Sequence, residues 1–359
     1  MTQRLQLGFV FIIIHMSFGY LLYPKLTYSL TKSGHWGIVL SYGLLQLILI
    51  AIYKKGLNYF PQKDMIDIFL TMGRWAAFIF LIPYAFNLNA LVAMNIRAHA
   101  EDIISIFLIR TPYWAVLILL FLISTYTAIK GLGTILRTSA VFFFSINLFV
   151  IFVIASSTVN FQLQNALPAW PLSLDFLWNV KFLYLMGFSA ILFLGFVPSE
   201  TNLKFSQLTA AWLYVLFFYL SAVYVPLFIF GQETVTTFVF PMKEAADSVD
   251  LSWFVFNRQT LFFGISIIGF NLILNAVKLW MIGQIMQRLF PGRRSKASYW
   301  ILAFSFIAFL FALCVPNKAW IEKLNLMSEG TNAFFTVILP SIIFLYVVFS
   351  GRMRSYGET

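Results

Sequence analysis

The chain has 359 residues, 61% hydrophobic and only 10% charged, with a mean hydropathy of +0.86. That balance excludes a soluble domain and describes a polytopic membrane protein with short loops. The net charge of +11 does not point to nucleic acid, because the basic residues are scattered at the ends of apolar segments, where they report topology. The single Cys314 leaves no partner in the chain for a disulfide or a thiolate metal site.

Ten spans are predicted, at 5–30, 34–53, 65–96, 112–129, 135–157, 177–198, 208–231, 256–287, 297–315 and 332–350. The first lacks a small-residue cleavage site and reads as a retained span. The first, third and eighth are long for one crossing, so tilt or interruption is expected. Ten spans put both termini on one side. With that side inward, fourteen Lys and Arg fall inside and nine outside, with Lys278 left within the eighth span. Arg288, Arg293, Arg294 and Lys296 are the densest inner cluster, so both termini are expected in the cytoplasm.

The first span carries Ile14-His15-Met16-Ser17-Phe18-Gly19 near its middle. An ionisable or helix-weakening residue at that depth is a functional-site hypothesis, because lipid offers polar groups no partner. The alternative is a kink packed on neighbouring helices, with His15 satisfied by a serine or a carbonyl. In the third span, Tyr84, Asn87 and Asn89 follow Pro83. The sixth places Gly187-Phe188-Ser189 at its middle, with Gly195 and Pro198 loosening its inner end. Interrupted segments at matching places in two five-span halves, 1–157 and 158–359, point to a transporter-type site. Half-helix ends there offer partial charges and free backbone groups to a ligand. Close helix packing is the other use of such glycines. A side chain at 187 is expected to fill the space between the two breaks.

Between the seventh and eighth spans, Pro241 fits the first turn of a short helix. Met242, Ala245, Ala246 and Val249 share its apolar face, and Trp253 and Phe254 follow at headgroup level. The eighth span adds Asn271, Asn275 and Lys278. Lys278 reads as snorkelling inward, or alternatively as a stand-in for a coupling cation. The expected ligand-binding residues are Met16, Ser17, Phe18, Gly19, Tyr84, Asn87, Gly187, Phe188, Ser189 and Asn271.

Enzymatic chemistry fails on inventory. His15, His35 and His99 are the only histidines, and there is no HExxH, phosphate-cradling loop or thiol pair. No carboxylate is expected at the depth of His15 and Ser17 to complete a triad. No two of His, Cys, Asp or Glu are expected to share a depth within one helix, so neither a metal nor a cofactor is predicted.

Three passages carry a family resemblance. They are Arg110-Thr111-Pro112 opening the fourth span, Lys130-Gly131 with Arg137 between the fourth and fifth, and Phe240-Pro241 with Asn257-Arg258 ahead of the eighth. In this order they resemble the B subunit of spore germinant receptors, the endospore germination permease family within the amino acid–polyamine–organocation permease superfamily. The resemblance implies an all-α fold of about ten transmembrane helices, a five-plus-five inverted repeat (LeuT-like) with broken helices one and six. It also implies a subunit of the spore inner membrane that senses a small nutrient, often an amino acid. Its partners would be a germinant-receptor A subunit and a lipoprotein C subunit in the bilayer, with no nucleic acid. A secondary amino acid transporter, proton-coupled through His15, and a structural membrane partner are the alternatives. Where relatives often carry an acidic residue, after the Gly-Phe of the sixth span and before the Arg ahead of the eighth, this chain has Ser189 and Asn257.

Overall fold

Apolar stretches in lipid must satisfy their own backbone, and here they do so as helices. The computed structural model describes residues 2–108, 110–170, 173–250, 259–292 and 295–350, without the side chains of Phe18, Ile106 and Lys318. Trp253, Phe254, Asn257, Arg258, Arg293, Arg294, Arg352 and Arg354 therefore lie outside the described residues.

The first span is two helices, α1 (Gln3–Gly19) and α2 (Tyr23–Tyr28), and the second is α3 (His35–Asn58). The third divides at Gly73 into α4 (Met65–Met72) and α5 (Arg74–Ile106). Next come α6 (Tyr113–Ile129) and α7 (Leu132–Ser157). The sixth span is α8 (Val180–Gly187) followed by a 3-10 helix, Ile191–Phe196. The remainder is α9 (Phe205–Val235), α10 (Pro241–Asp247), α11 (Gln259–Leu289), α12 (Ala297–Cys314) and α13 (Lys318–Phe349). No strand occurs among the described residues. Seven helices, α3, α5, α7, α9, α11, α12 and α13, are long and apolar enough to cross a membrane. The other three predicted spans are the two broken ones and the shorter α6.

Two boundaries differ from expectation in ways that matter. The third span continues past 96 to Ile106, carrying Arg97, His99, Glu101 and Asp102 on helix, with Arg97 and Glu101 ion-paired one turn apart. His99 and Asp102 thus share a depth within one helix, contrary to the sequence reading. No group of three or more His, Cys, Asp or Glu able to hold a metal occurs among the described residues. The tenth span begins at Lys318 rather than 332, started by Asn317, whose side chain accepts from the Trp320 N–H at 3.1 Å. As expected, α10 begins at Pro241 and buries Met242, Ala245 and Ala246.

Helix α11 sits at the centre and packs against α1, α5, α6, α7 and α12. Outward faces are apolar. Val141, Phe144, Leu148 and Ile151 form one exposed stripe on α7, and Leu302, Phe306 and Leu310 one on α12. Continuous apolar stripes of this kind suit lipid rather than water. Contacts sort to two ends in the alternation that ten spans require. At one end Arg4 donates to the Glu200 carbonyl, Lys54 to Ser199, and Arg288 pairs with Asp64 and Asp67. At the other, Lys25 pairs with Glu322, and Asn160 donates to the Ser248 carbonyl.

Candidate ligand site between the two broken helices

A helix break inside an apolar bundle leaves backbone groups to be satisfied by side chains, and the break in the sixth span has several such partners. In the sixth span the helix stops at Gly187, and Phe188, Ser189 and Ala190 are non-helical. Asn332 of α13 donates to the Gly187 carbonyl at 2.6 Å and to the Ser189 carbonyl at 3.3 Å. Asn87 of α5 in turn donates to the Asn332 side-chain oxygen at 3.5 Å. The Ser189 hydroxyl accepts from the Ile191 N–H at 3.4 Å.

The first helix supplies the remaining partner. His15 is wholly buried, and its Nε2 accepts from the Ala190 N–H at 3.1 Å. Its Nδ1 lies 2.7 Å from the Phe11 carbonyl, which can only accept, so Nδ1 carries the proton and the ring is neutral. His15 is thus a bracket between the two broken helices, engaged at both nitrogens. The break in the first span falls at 20–22, one step later than the Met16–Gly19 stretch suggested. Tyr219 of α9 donates to the His15 carbonyl at 2.8 Å and stacks on Tyr23 at 4.5 Å between centroids. A Cβ on Gly19 would lie 2.2 Å from that tyrosine ring, so glycine is what permits the close approach.

Gly187 is more constrained. A Cβ there would lie 2.0 Å from the Glu329 carbonyl oxygen, backbone rather than side chain. A side chain at 187 therefore strikes α13 instead of filling the space between the breaks, which corrects the sequence reading.

Around the sixth-span break lies a cavity lined by Ile14, Tyr84, Gly187, Phe188, Ser189, Lys278, Glu329 and Asn332, among others. Its volume is about 20 Å³, room for about one water. On the side of Lys25, Lys181 and Glu322 lies a vestibule of about 190 Å³. Phe188 and Glu329 line both spaces. Of the expected site residues, Tyr84, Gly187, Phe188 and Ser189 meet at the cavity, and Asn87 stands one hydrogen bond behind it. Met16, Ser17 and Gly19 are buried but not on its wall, and the side chain of Phe18 lies outside the described residues. Asn271 is also set back; it donates to the Asn95 carbonyl at 3.5 Å and accepts from Asn275.

Two charged residues in this wall depart from the sequence reading. Lys278 does not snorkel; it is buried and lines the cavity. Its compensation is Glu329, which the sequence reading leaves in an outer loop. Opposite charge in the same wall removes the need to reach solvent. The available signal is the N-cap at Asn317, which starts the helix early enough to carry Glu329 inside.

Comparison with known proteins settles the lineage. The spore permease family, described as spore germination protein, matches residues 3–320. The chain belongs to this family. No curated protein matches it. Among solved structures, this germination permease is similar to MhsT in complex with L-phenylalanine. There the TM-score is 0.65 at 13% identity, over 95% of this chain and 88% of that one. It is also similar to the Eremococcus coleocola manganese transporter in complex with an aromatic bis-isothiourea substituted compound. That match has a TM-score of 0.62 at 14% identity, over 94% of this chain and 77% of the other. A mutant form of the same transporter aligns with a TM-score of 0.61 at 14% identity, with the same coverage of both chains. At these identities the likeness shows the fold: the permease has the LeuT-like fold of membrane transporters, with the first and sixth helices broken.

Proposed function

We propose that this germination permease is the nutrient-recognising B subunit of a germinant receptor. It binds a small nutrient at the cavity beside Gly187, Phe188 and Ser189, with Tyr84 facing it and Asn87 supporting it. Met16 to Gly19, the end of α1 ahead of the first break, and Asn271 shape the site from behind. The observation that carries this reading is the break itself. The unwound segment of the sixth span is held by dedicated polar partners, His15 from the first broken helix and Asn332, beside a cavity that shares Phe188 and Glu329 with a neighbouring vestibule. A break serving packing alone would need no adjoining space.

On this reading the two repeats, 1–157 and 158–359, move relative to each other around the site, and the closed 20 Å³ cavity is the state before or after ligand entry. Short loops leave little soluble surface, so the signal passes through membrane neighbours, an A subunit and a lipoprotein C subunit, in the spore inner membrane. The end bearing Arg4, Lys54 and Arg288 faces the cytoplasm, following the charge bias. No catalytic step is assigned to it.

The second reading is a secondary transporter for amino acids or similar solutes, favoured by the transporter fold and the vestibule. Its proton would not travel through His15, whose nitrogens are both engaged. One experiment separates the two. Spores lacking this gene are tested for germination against single nutrients, and any nutrient whose response is lost is offered, radiolabelled, to the full chain in proteoliposomes. A lost response without uptake supports the receptor, and uptake supports the transporter. An unchanged response to every nutrient removes the sensing assignment.

A further inference from the structure

Far from the cavity, the end of α3 carries Lys54 and Lys55, and the two lysines sit in different surroundings. Lys55 is exposed, with its ammonium 5.8 Å from the centre of the Phe344 ring. Lys54 is only 7% exposed, yet it makes no ion pair within 4.0 Å among the described residues. Among them its hydrogen bond is to the Ser199 hydroxyl at 3.4 Å, which leaves two of the three ammonium donors unused. Ser199 in turn donates to the Asn58 side-chain oxygen at 2.5 Å. Arg4 of α1 reaches the same stretch of chain and donates to the Glu200 carbonyl at 2.8 Å. A buried ammonium without an opposite charge is costly, and the carbonyl end of α3 offsets it only in part. Beside these cations a groove of about 420 Å³ is lined by Lys55, Asn58, Tyr59, Pro61, Ser199 and Glu200. On α3 the exposed Leu44 and Ile48 lie one turn apart, in the row that leads to Lys55.

We propose that this groove binds a phosphate group, the headgroup of an anionic phospholipid in the leaflet at the Arg4 end. The site is separate from the cavity at Gly187, and the inference does not depend on the nutrient reading. A phosphate offers several anionic oxygens at once, so one group serves Lys54, Lys55 and Arg4 together. Basic pockets among helix ends at a membrane surface suit such headgroups. Glu200, the acid in the lining, opposes an anion. It is exposed, so water and salt screen it, whereas Lys54 is shielded from both. A lipid also accounts for Leu44 and Ile48, since its acyl chain lies along that row while the headgroup turns into the groove. Free phosphate shares the recognising chemistry but leaves the row unused. An occupied groove ties Arg4, at the start of the first broken span, to Ser199 and Glu200, which follow the sixth. Bound lipid thus holds the inner ends of both broken spans together.

The test uses the full chain, delipidated in dodecyl maltoside, with the melting temperature titrated against each probe. The probes are dioctanoyl phosphatidylglycerol, dioctanoylglycerol, sodium phosphate, and sodium chloride at matched ionic strength. Phosphatidylglycerol is expected to stabilise the chain saturably, and dioctanoylglycerol and sodium chloride are not. Lys54→Gln is expected to raise the half-saturating concentration by about tenfold to a hundredfold, the range of a charge-assisted hydrogen bond. Arg4→Gln is expected to raise it by about fivefold. Lys32→Gln, which removes an exposed charge at the opposite end, is expected to leave it unchanged. Where Lys54→Gln protein lacks a cooperative melt, Arg4→Gln decides, because Arg4 is exposed and its loss opens no core. Sodium phosphate that matches phosphatidylglycerol, with the same dependence on Lys54, keeps the site and makes its ligand soluble. Equal stabilisation by dioctanoylglycerol or sodium chloride overturns the inference, as does stabilisation by no probe. So does a half-saturating concentration that Lys54→Gln leaves unchanged or that Lys32→Gln raises equally.

Discussion

The imidazole of His15 on α1 accepts the backbone N–H of Ala190 in the break of the sixth span, 3.1 Å away. That bond joins the two interrupted segments directly. It requires the neutral ring, since Nδ1 already donates to Phe11 and a second proton would turn the acceptor into a donor. His15→Ala leaves the Ala190 N–H buried and unpaired and opens a void beside Trp212. It is expected to lower stability by about 2–4 kcal/mol, combining the lost partner and the cavity. His15→Gln, whose carbonyl oxygen can still accept, is expected to recover part of that. Melting of the detergent-purified variants measures it. A His15→Ala protein that melts like the parent would remove the bracket role and return His15 to the proton-coupling candidates.

Two glycines give opposite expectations from the same substitution. At Gly187 a Cβ meets the Glu329 carbonyl oxygen at 2.0 Å, so Gly187→Ala must part α8 from α13. At Gly133, inside α7, a Cβ meets nothing within 4 Å. Gly133→Ala is expected to be neutral or to stabilise by about 0.5–1 kcal/mol, through helix propensity and a less flexible unfolded chain. Gly187→Ala is expected to reduce the folded protein recovered from membranes severely. Equal recovery and equal melting of the two variants would show that the α8–α13 approach is not fixed.

At the end bearing Arg4 and Lys54, Arg288 of α11 meets Asp64 at 2.5 Å and Asp67 at 3.1 Å. Burial pushes the Asp64 carboxyl above its ordinary value, against the pull of Arg288 and the Asp67 N–H. An acid with a raised folded pKa binds more protons folded than unfolded, so its contribution to stability falls as pH rises from the unfolded value through the folded one. Arg288→Ala removes the pull and raises the folded value further. The stability lost relative to the parent is therefore expected to be greater at pH 8 than at pH 5, by about 1.4 kcal/mol for each unit added to the folded pKa. Asp64→Asn keeps an oxygen to cap α4 and carries no titrating group, so it should cancel that pH dependence when combined with Arg288→Ala. Melting of the variants across this pH range is the measurement. A gap that narrows as pH rises contradicts the account.

How much of this is legible in the sequence depends on what kind of signal each feature leaves. The Gly187-Phe188-Ser189 break is readable, because glycine and serine at the centre of an apolar run weaken a helix locally. The first break reads slightly early, since Met16–Gly19 has the same composition, yet the helix persists until Tyr219 claims the space beside Gly19. Glu329 is hidden for a physical reason. Hydropathy leaves Met327-Ser328-Glu329-Gly330-Thr331 ahead of the predicted span 332–350, and only the approach of α13 to Gly187 of α8 buries it. His99 and Asp102 are hidden likewise, because charged residues at 97 to 102 look like a loop until α5 is seen to continue through them. Side chains that charge a membrane interior lower the very average by which membrane segments are found.

Phe188, like Glu329, lines both the vestibule of about 190 Å³ and the inner cavity of about 20 Å³. If ligand enters past it, shrinking this side chain should speed access to the break without new chemistry. The reporter is Ser189→Cys in a Cys314→Ser background, labelled by a small thiol reagent from the Lys25 side. Ser189 is buried, so labelling should be slow when Phe188 is present and limited by opening of the site. Phe188→Ala should accelerate it clearly, and Phe188→Leu, which keeps most of the bulk, should do so less. Truncating a buried Phe ordinarily costs about 3–5 kcal/mol. The cost here should be lower, because the ring borders space on both sides and fills no sealed core. Amount of protein and melting temperature are recorded alongside, so that labelling of an unfolded fraction is recognised by its loss of cooperative melting. Folded Phe188→Ala protein that labels at the parental rate would show that the entrance runs elsewhere, and that the contact of Phe188 with both spaces is packing rather than a gate.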